Sequence, residues 1–273
     1  MTTQHTPNRI ERIFDELRAS GKRGLMPFVV GGHPEAESLP SLLEAIDGAG
    51  ASVIEIGFPF SDPVADGPVI AAAMFEALQK GVTPRSVLDQ VKASRDRVKA
   101  GLVAMISASL VHRMGGPGEF AKQAAEAGLD GCIFPDVTLE EAGPYVEACR
   151  ANGLCVSLLV APTTPIDRAR RIVQHCSGFV YVIARAGITG ESSGLPEIEA
   201  RISELRDLTD LPLAVGFGVS TAEQVRMVTQ HADAAIVGSA LVRHLGQAAK
   251  VGKSASEAAS EMIFTLAEGI GSV

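Results

Sequence analysis

The sequence predicts an α/β fold of the (β/α)8 barrel type, with an extra N-terminal helix and an extra helix after the second strand. Three observations carry that prediction. Eight short apolar runs recur along the chain: LMPFVV (25–30), VIEIG (53–57), LVAMI (102–106), GCIF (131–134), CVSLLV (155–160), FVYVI (179–183), LPLAV (211–215) and AAIVG (234–238). Between them lie stretches such as GEFAKQAAEAG and TAEQVRMVTQHA, whose apolar residues fall three and four apart, as on one face of a helix. The 273 residues contain no Pro/Gly/Ser-rich linker and no change of composition between the halves, which suits one closed barrel of about 250 residues. Residues 1–273 are therefore read as a single domain. An open doubly wound sheet uses the same repeating unit and is the rival arrangement.

The runs are apolar at both odd and even positions, as in parallel strands covered on both faces. Two helical segments exceed the minimal repeat. NRIERIFDELRAS (8–20) precedes the first strand and is placed to plug the bottom of the barrel. GPVIAAAMFEALQKG (67–81) followed by TPRSVLDQVKASRDRV (83–98) puts two helices after the second strand. Active sites of such barrels form at the C-terminal ends of the strands, which gives each candidate residue a place.

Composition narrows the function. Hydrophobic residues make up 46% and charged residues 21%, the balance of a globular chain with a large core. Net charge is −8, there are two tyrosines and no tryptophan, and no Lys/Arg run occurs, so neither a phosphate-tracking groove nor a base-stacking platform for nucleic acid is expected. The start, MTTQHTPNRIERIF, has no basic segment leading into an apolar one, and the longest apolar stretch, GLVAMISASLV, is too short for a bilayer; a cytoplasmic chain without membrane contact is expected. Cys132, Cys149, Cys155 and Cys176 lack CxxC or Cys/His metal spacing and read as buried free thiols.

The stretch VIEIGFPFSDPVADGP (53–68) holds the carboxylates of interest. Strand alternation puts Val53, Glu55 and Gly57 on one face and Ile54 and Ile56 on the other. If the isoleucines meet the helices, Glu55 points into the barrel. Two readings of Glu55 fit: an acid or base with a raised pKa, or a partner of an arginine from a neighbouring strand. Asp66 also has two. Gly67 and Pro68 can open a helix whose dipole Asp66 complements, or Asp66 can converge with Glu55 over one substrate. Asp62 before Pro63 suits a turn.

Glycine-rich turns follow the last three runs: AGITGESSG (186–194), GFGVS (216–220) and GSALV (238–242). Barrels bind phosphate with the loops after strands seven and eight and a helix N-terminus, so Gly218, Gly238 and Ser239, with Gly190 from the preceding loop, form a candidate cradle. Each motif alone is ordinary turn chemistry; their joint position is the signal. Neither GxGxxG opening a helix nor GxxxxGK[ST] occurs, which points to a small phosphorylated molecule rather than a nucleotide.

With these residues in place, PFSDPVADGP, AAEAGLDGCIFPDVTLEE, ARAGITG and GFGVSTAEQV…ADAAIVGSALV together resemble the tryptophan synthase α subunit family, from Arg9 to the final helix. The resemblance implies a lyase of tryptophan biosynthesis that splits indole-3-glycerol phosphate by a retro-aldol step into indole and glyceraldehyde 3-phosphate. It implies a PLP-dependent β subunit that receives the indole through a tunnel in an α2β2 heterotetramer, and no metal or organic cofactor acting on this chain. Glu55 would protonate the indole carbon bearing the glycerol chain and help deprotonate the glycerol hydroxyl, while Asp66 would accept the indole N–H. Tyr181 matches an active-site tyrosine. Phe28 and Phe217 match residues around the indole, although core packing uses the same residue types. Asp62 and Pro63 match a loop that touches the β subunit, and Thr189 matches a threonine coupling closure of its loop to the loop of Asp66.

The chain departs from the family at three positions. Ser107 and Ser109 stand where tyrosine and asparagine are usual, and His33, in GGHP, stands where an aspartate is usual. These changes bear on pocket shape and partner contact more than on the reaction, since both carboxylates remain. Two alternatives stay open: a stand-alone indole-glycerol-phosphate lyase, and a module that chiefly binds and activates the β subunit.

Overall fold

The computed structural model describes residues 6–63, 66–184, 195–216 and 218–270. Nine parallel strands make one sheet: β1 (Gly24–Val30), β2 (Val53–Gly57), β3 (Gly101–Met105), β4 (Gly131–Ile133), β5 (Cys155–Ser157), β6 (Leu159–Val160), β7 (Val180–Ile183), β8 (Leu213–Gly216) and β9 (Ala234–Val237). Their spatial order is β5-β4-β3-β2-β1-β9-β8-β7-β6. The two strands at the ends of that order are consecutive in the chain, so the sheet curls round on itself as a (β/α)8 barrel with its seam at Leu158. The apolar run 155–160 is thus two strands rather than one: its first half pairs with β4 and its second with β7. At the changeover the Leu158 N–H donates to Cys176 Sγ at 3.3 Å instead of to a strand. The other seven runs form strands within two residues of their expected bounds.

The N-terminal helix, Arg9–Ala19, closes the bottom of the barrel as expected. The Asn8 side chain accepts the Ile10 N–H at 2.8 Å and the Glu11 carboxylate accepts the Asn8 N–H at 2.7 Å, a reciprocal cap that fixes where the helix begins. The Asn8 amide also donates to the carbonyls of Asp130 and Gly153, which holds the helix across the strand starts. Ile10 and Phe14 then enter the barrel and pack on Val53, Val103, Ile133 and Phe179. Each such burial contributes about 1.5–3 kcal/mol. With this end plugged, a ligand reaches the interior only from the C-terminal ends of the strands.

Two helices follow β2, Pro68–Gln79 and Pro84–Ser94. Ile54 and Ile56 lie on the outer face and join the helix-layer core with Leu42, Leu43 and Ile46, which leaves Glu55 on the inner face. After β9 the chain forms Ser239–Lys250, which packs against Pro68–Gln79, and then Ala255–Ala267. The four cysteines are buried free thiols. Among the described residues no helix is long and apolar enough to cross a membrane.

Candidate active site

Glu55 sits in the middle of β2, opposite Phe28 of β1 on one side and Val103 of β3 on the other. It is fully buried, and neither carboxylate oxygen has a hydrogen-bond partner among the described residues. The arginine-paired reading is therefore not the one found. A carboxylate left dry and unpaired is costly, so burial raises the Glu55 pKa well above the usual range and keeps the proton on. Gly57, the next inward position toward the open rim, admits this arrangement. A Cβ there would stand 2.5 Å from Phe28 Cζ, so only glycine leaves room for the Phe28 ring at that level.

Asp66 arrives from the loop after β2. Its N–H donates to the Pro63 carbonyl at 3.0 Å, Gly67 adopts an extended N-cap conformation, and Pro68 is the first helical residue. The segment forms the proline-initiated helix with Asp66 just ahead of it, and Asp66 also lines the cavity at the barrel mouth. Asp66 is half-buried, and burial lifts its pKa to about 6. Burial thus raises both carboxyls, the fully buried Glu55 and the half-buried Asp66, and Asp66 remains mostly ionised near pH 7.

A cavity of about 500 Å³ opens at this rim, a volume suited to a small organic ligand. Asp66, Phe28, Tyr181, Gly218, Gly238 and Ser239 all line it. Glu55 is not among the lining residues and lies in the layer with Phe28 and Val103. Tyr181 is a neighbour of both carboxyls. Burial first, then its two carboxyl neighbours Glu55 and Asp66, raises its phenol pKa well above the usual value and keeps it a proton donor. Gly218 takes a positive φ of 65°. Gly238 is the N-cap of Ser239–Lys250 and offers no side chain to cap it, so the first N–H groups of that helix, at the cavity's edge, have no side-chain cap.

A smaller recess adjoins the cavity and shares Asp66, Met105 and Pro135 with it. Asp62, Pro63 and Ser107 line this recess. The Ser107 hydroxyl is buried without a partner among the described residues, while the next residue, Ala108, donates its N–H to Asp136 at 2.9 Å. Asp62 and Ser109 are exposed.

The structure therefore brings Glu55, Asp66, Tyr181, Phe28, Gly218, Gly238 and Ser239 to one end of the barrel, with Asp62 and Pro63 beside them. Thr189, Gly190 and Phe217 lie outside the described residues. Residues not singled out from the sequence also line the cavity, chiefly Ile70, Ser220 and Arg243. Arg243 had a legible signal: it lies four residues after Ser239, and a helical side chain leans back over the turn before it, here the cradle. No group of residues able to hold a metal ion occurs among the described residues.

Comparison with known proteins follows the same outline. The pattern of the family described as tryptophan synthase alpha chain matches residues 14–270. The tryptophan synthase alpha chain of Alkalilimnicola ehrlichii is 42% identical over 260 residues, covering 93% of this chain and 95% of its own. That of a Synechococcus strain is 40% identical, covering 90% and 91%. Among solved structures, tryptophan synthase subunit alpha from Legionella pneumophila superposes with a TM-score of 0.89 at 33% identity, covering 97% of this chain and 98% of that one. A chain of the M. tuberculosis tryptophan synthase superposes with a TM-score of 0.86 at 30% identity, covering 97% and 99%.

Proposed function

Because the chain belongs to the tryptophan synthase alpha chain family, we propose that Glu55 and Asp66 divide the acid and base work of its reaction. The protein is a lyase of tryptophan biosynthesis; its substrate is indole-3-glycerol phosphate and its partner a β subunit. The products are indole and glyceraldehyde 3-phosphate.

The observation that carries the residue assignment is a buried, unpartnered carboxyl beside a cavity that both the Asp66 carboxylate and a helix N-terminus without a side-chain cap line. Phosphate lies at Gly218, Gly238 and Ser239, with Gly190 completing the cradle and Arg243 adding positive charge. The indole then lies toward Phe28, Tyr181 and Phe217, its N–H on the ionised Asp66. Glu55 gives its proton to the ring carbon that bears the glycerol chain, and Asp66 steadies the positive charge that develops on the ring. The carbon–carbon bond breaks, its electron pair returns to the ring, and the glycerol hydroxyl loses its proton to Glu55 as the aldehyde forms. Glu55 ends the cycle protonated, as it began. Thr189 couples its loop to the loop of Asp66, so that water is shut out once substrate is bound.

The chain acts as one barrel domain in the cytoplasm, paired with a PLP-dependent β subunit in an α2β2 heterotetramer that Asp62 and Pro63 help to join. Indole formation from indole-3-glycerol phosphate, measured with the purified chain alone and with a β subunit added, tests this reading. Weak turnover that rises with the β subunit supports it. Full turnover alone favours a stand-alone lyase, and none under either condition favours a module that only activates its partner.

A further inference from the structure

His33 is buried, 5% exposed, in the turn that follows β1. Its ring lies between two helices whose N-terminal ends form the two halves of the site. Nε2 is 3.3 Å from the carbonyl oxygen of Val242, in the first turn of Ser239–Lys250. Nδ1 is 3.3 Å from Glu76 Oε2, on Pro68–Gln79, the helix that begins two residues after Asp66. Lys80, just past the end of that helix, reaches back to donate to the Pro34 carbonyl, so the same turn is tied to the helix a second time. On the other side Gly246 leaves the ring its space, since a Cβ there would stand 3.3 Å from Nε2. The groups facing the ring are thus Glu76 and Lys80 from one helix and Val242 and Gly246 from the other.

The proposed binding mode holds the substrate at both ends, the indole N–H at Asp66 and the phosphate at Gly238 and Ser239. Sliding one helix past the other changes that span without disturbing either half. We propose that His33 is a positioning residue that sets the distance between Asp66 and the phosphate cradle by packing and hydrogen bonding between their helices. This rests on the preceding assignment of those two ends. Burial, the largest influence, lowers the His33 pKa despite the pull of Glu76, so near neutral pH the ring is uncharged and has one N–H to give. It donates to one helix and packs against the other.

The span has a kinetic signature that simple core filling does not. A ligand using one end only is indifferent to it, whereas the full substrate is not, and a misplacement of about 1 Å costs up to about a hundredfold in rate. His33→Leu, which fills the space without an N–H, is expected to lower kcat/KM for indole-3-glycerol phosphate about tenfold or more, while inorganic phosphate still binds with wild-type affinity. His33→Gln, whose amide N–H reaches toward the Val242 carbonyl, is expected to recover part of the loss. Gly246→Ala favours the helix but crowds the ring, so it is expected to lower kcat/KM without lowering Tm, and to have no effect once His33 is alanine. Wild-type kcat/KM in His33→Leu overturns the proposal, as does a loss of phosphate affinity and Tm in step with turnover. Should His33→Leu fail to fold, an unchanged kcat/KM in Gly246→Ala overturns it instead. Wild-type protein that neither binds phosphate nor cleaves the substrate overturns the site assignment and this proposal with it; an intact wild type with an indifferent His33→Leu overturns this proposal alone.

Discussion

Phe28 stands opposite Glu55 in the β1–β2 ladder, and its ring extends into the space over Gly57, one inward position nearer the open rim than Glu55. The aromatic ring thus sits at the border between the layer that holds the acid and the cavity. This relationship links packing to chemistry: the side chain that borders the cavity is also the strand partner of the buried carboxyl.

Gly57→Ala tests that link. The added Cβ would stand 2.5 Å from Phe28 Cζ, so the ring or the strand must move. Overpacking of this kind costs about 1–3 kcal/mol, read as a lower denaturant midpoint with an unchanged slope, and turnover should fall with it because the ring is driven into the cavity. Unchanged stability and turnover would place the ring elsewhere.

The pH dependence of stability reports on Glu55 directly. Burial raises its folded pKa above the unfolded value, so between those values the folded chain holds a proton that the unfolded chain has lost. The stability this contributes is complete below the unfolded pKa and is lost as pH rises through the folded one. Glu55→Gln cannot ionise and escapes the loss, so its Tm should gain on the wild type as pH rises. A constant Tm difference would mean that Glu55 ionises freely in the folded protein.

Turnover should fall on the acid side for a different reason. Asp66 must be ionised to accept the indole N–H, and its pKa is raised to about 6 by burial. The kcat/KM profile, which reports the free enzyme, is therefore expected to lose activity as pH falls through about 6, while the alkaline limb belongs to deprotonation of Glu55. A profile flat through pH 6 would remove Asp66 from the acceptor role.

Arg243 offers a test confined to the phosphate end. Arg243→Gln removes a cation that lines the cavity beside Gly238 and Ser239. A charged hydrogen bond is worth about 1.5–3 kcal/mol, so KM should rise about tenfold or more while kcat changes little, and inorganic phosphate should bind more weakly. If phosphate affinity is unchanged, the side chain does not reach the anion.

Glu55 was legible in the sequence because strand alternation is rigid: a carboxyl at the centre of an apolar run has nowhere to point but the core or the barrel. The N-terminal plug was legible from Asn8, Glu11 and the apolar spacing that follows. The division of the run 155–160 was not, because it depends on which strand each half meets, and nothing local marks Leu158 as the place where the partner changes. His33 reads only as a missing acid, since its contact with Val242 joins positions 209 residues apart. Arg243 and Ile70 follow from the register of their helices once Gly238 and Gly67 are taken as N-caps.

The central claim is that Glu55 and Asp66 carry the cleavage. The most direct measurement is indole release from indole-3-glycerol phosphate by wild-type protein, Glu55→Gln and Asp66→Asn, each with the β subunit present. Each variant is expected to lose about 10²- to 10⁴-fold in kcat while keeping a cooperative fold and wild-type phosphate affinity. Near wild-type turnover in both variants would contradict the account.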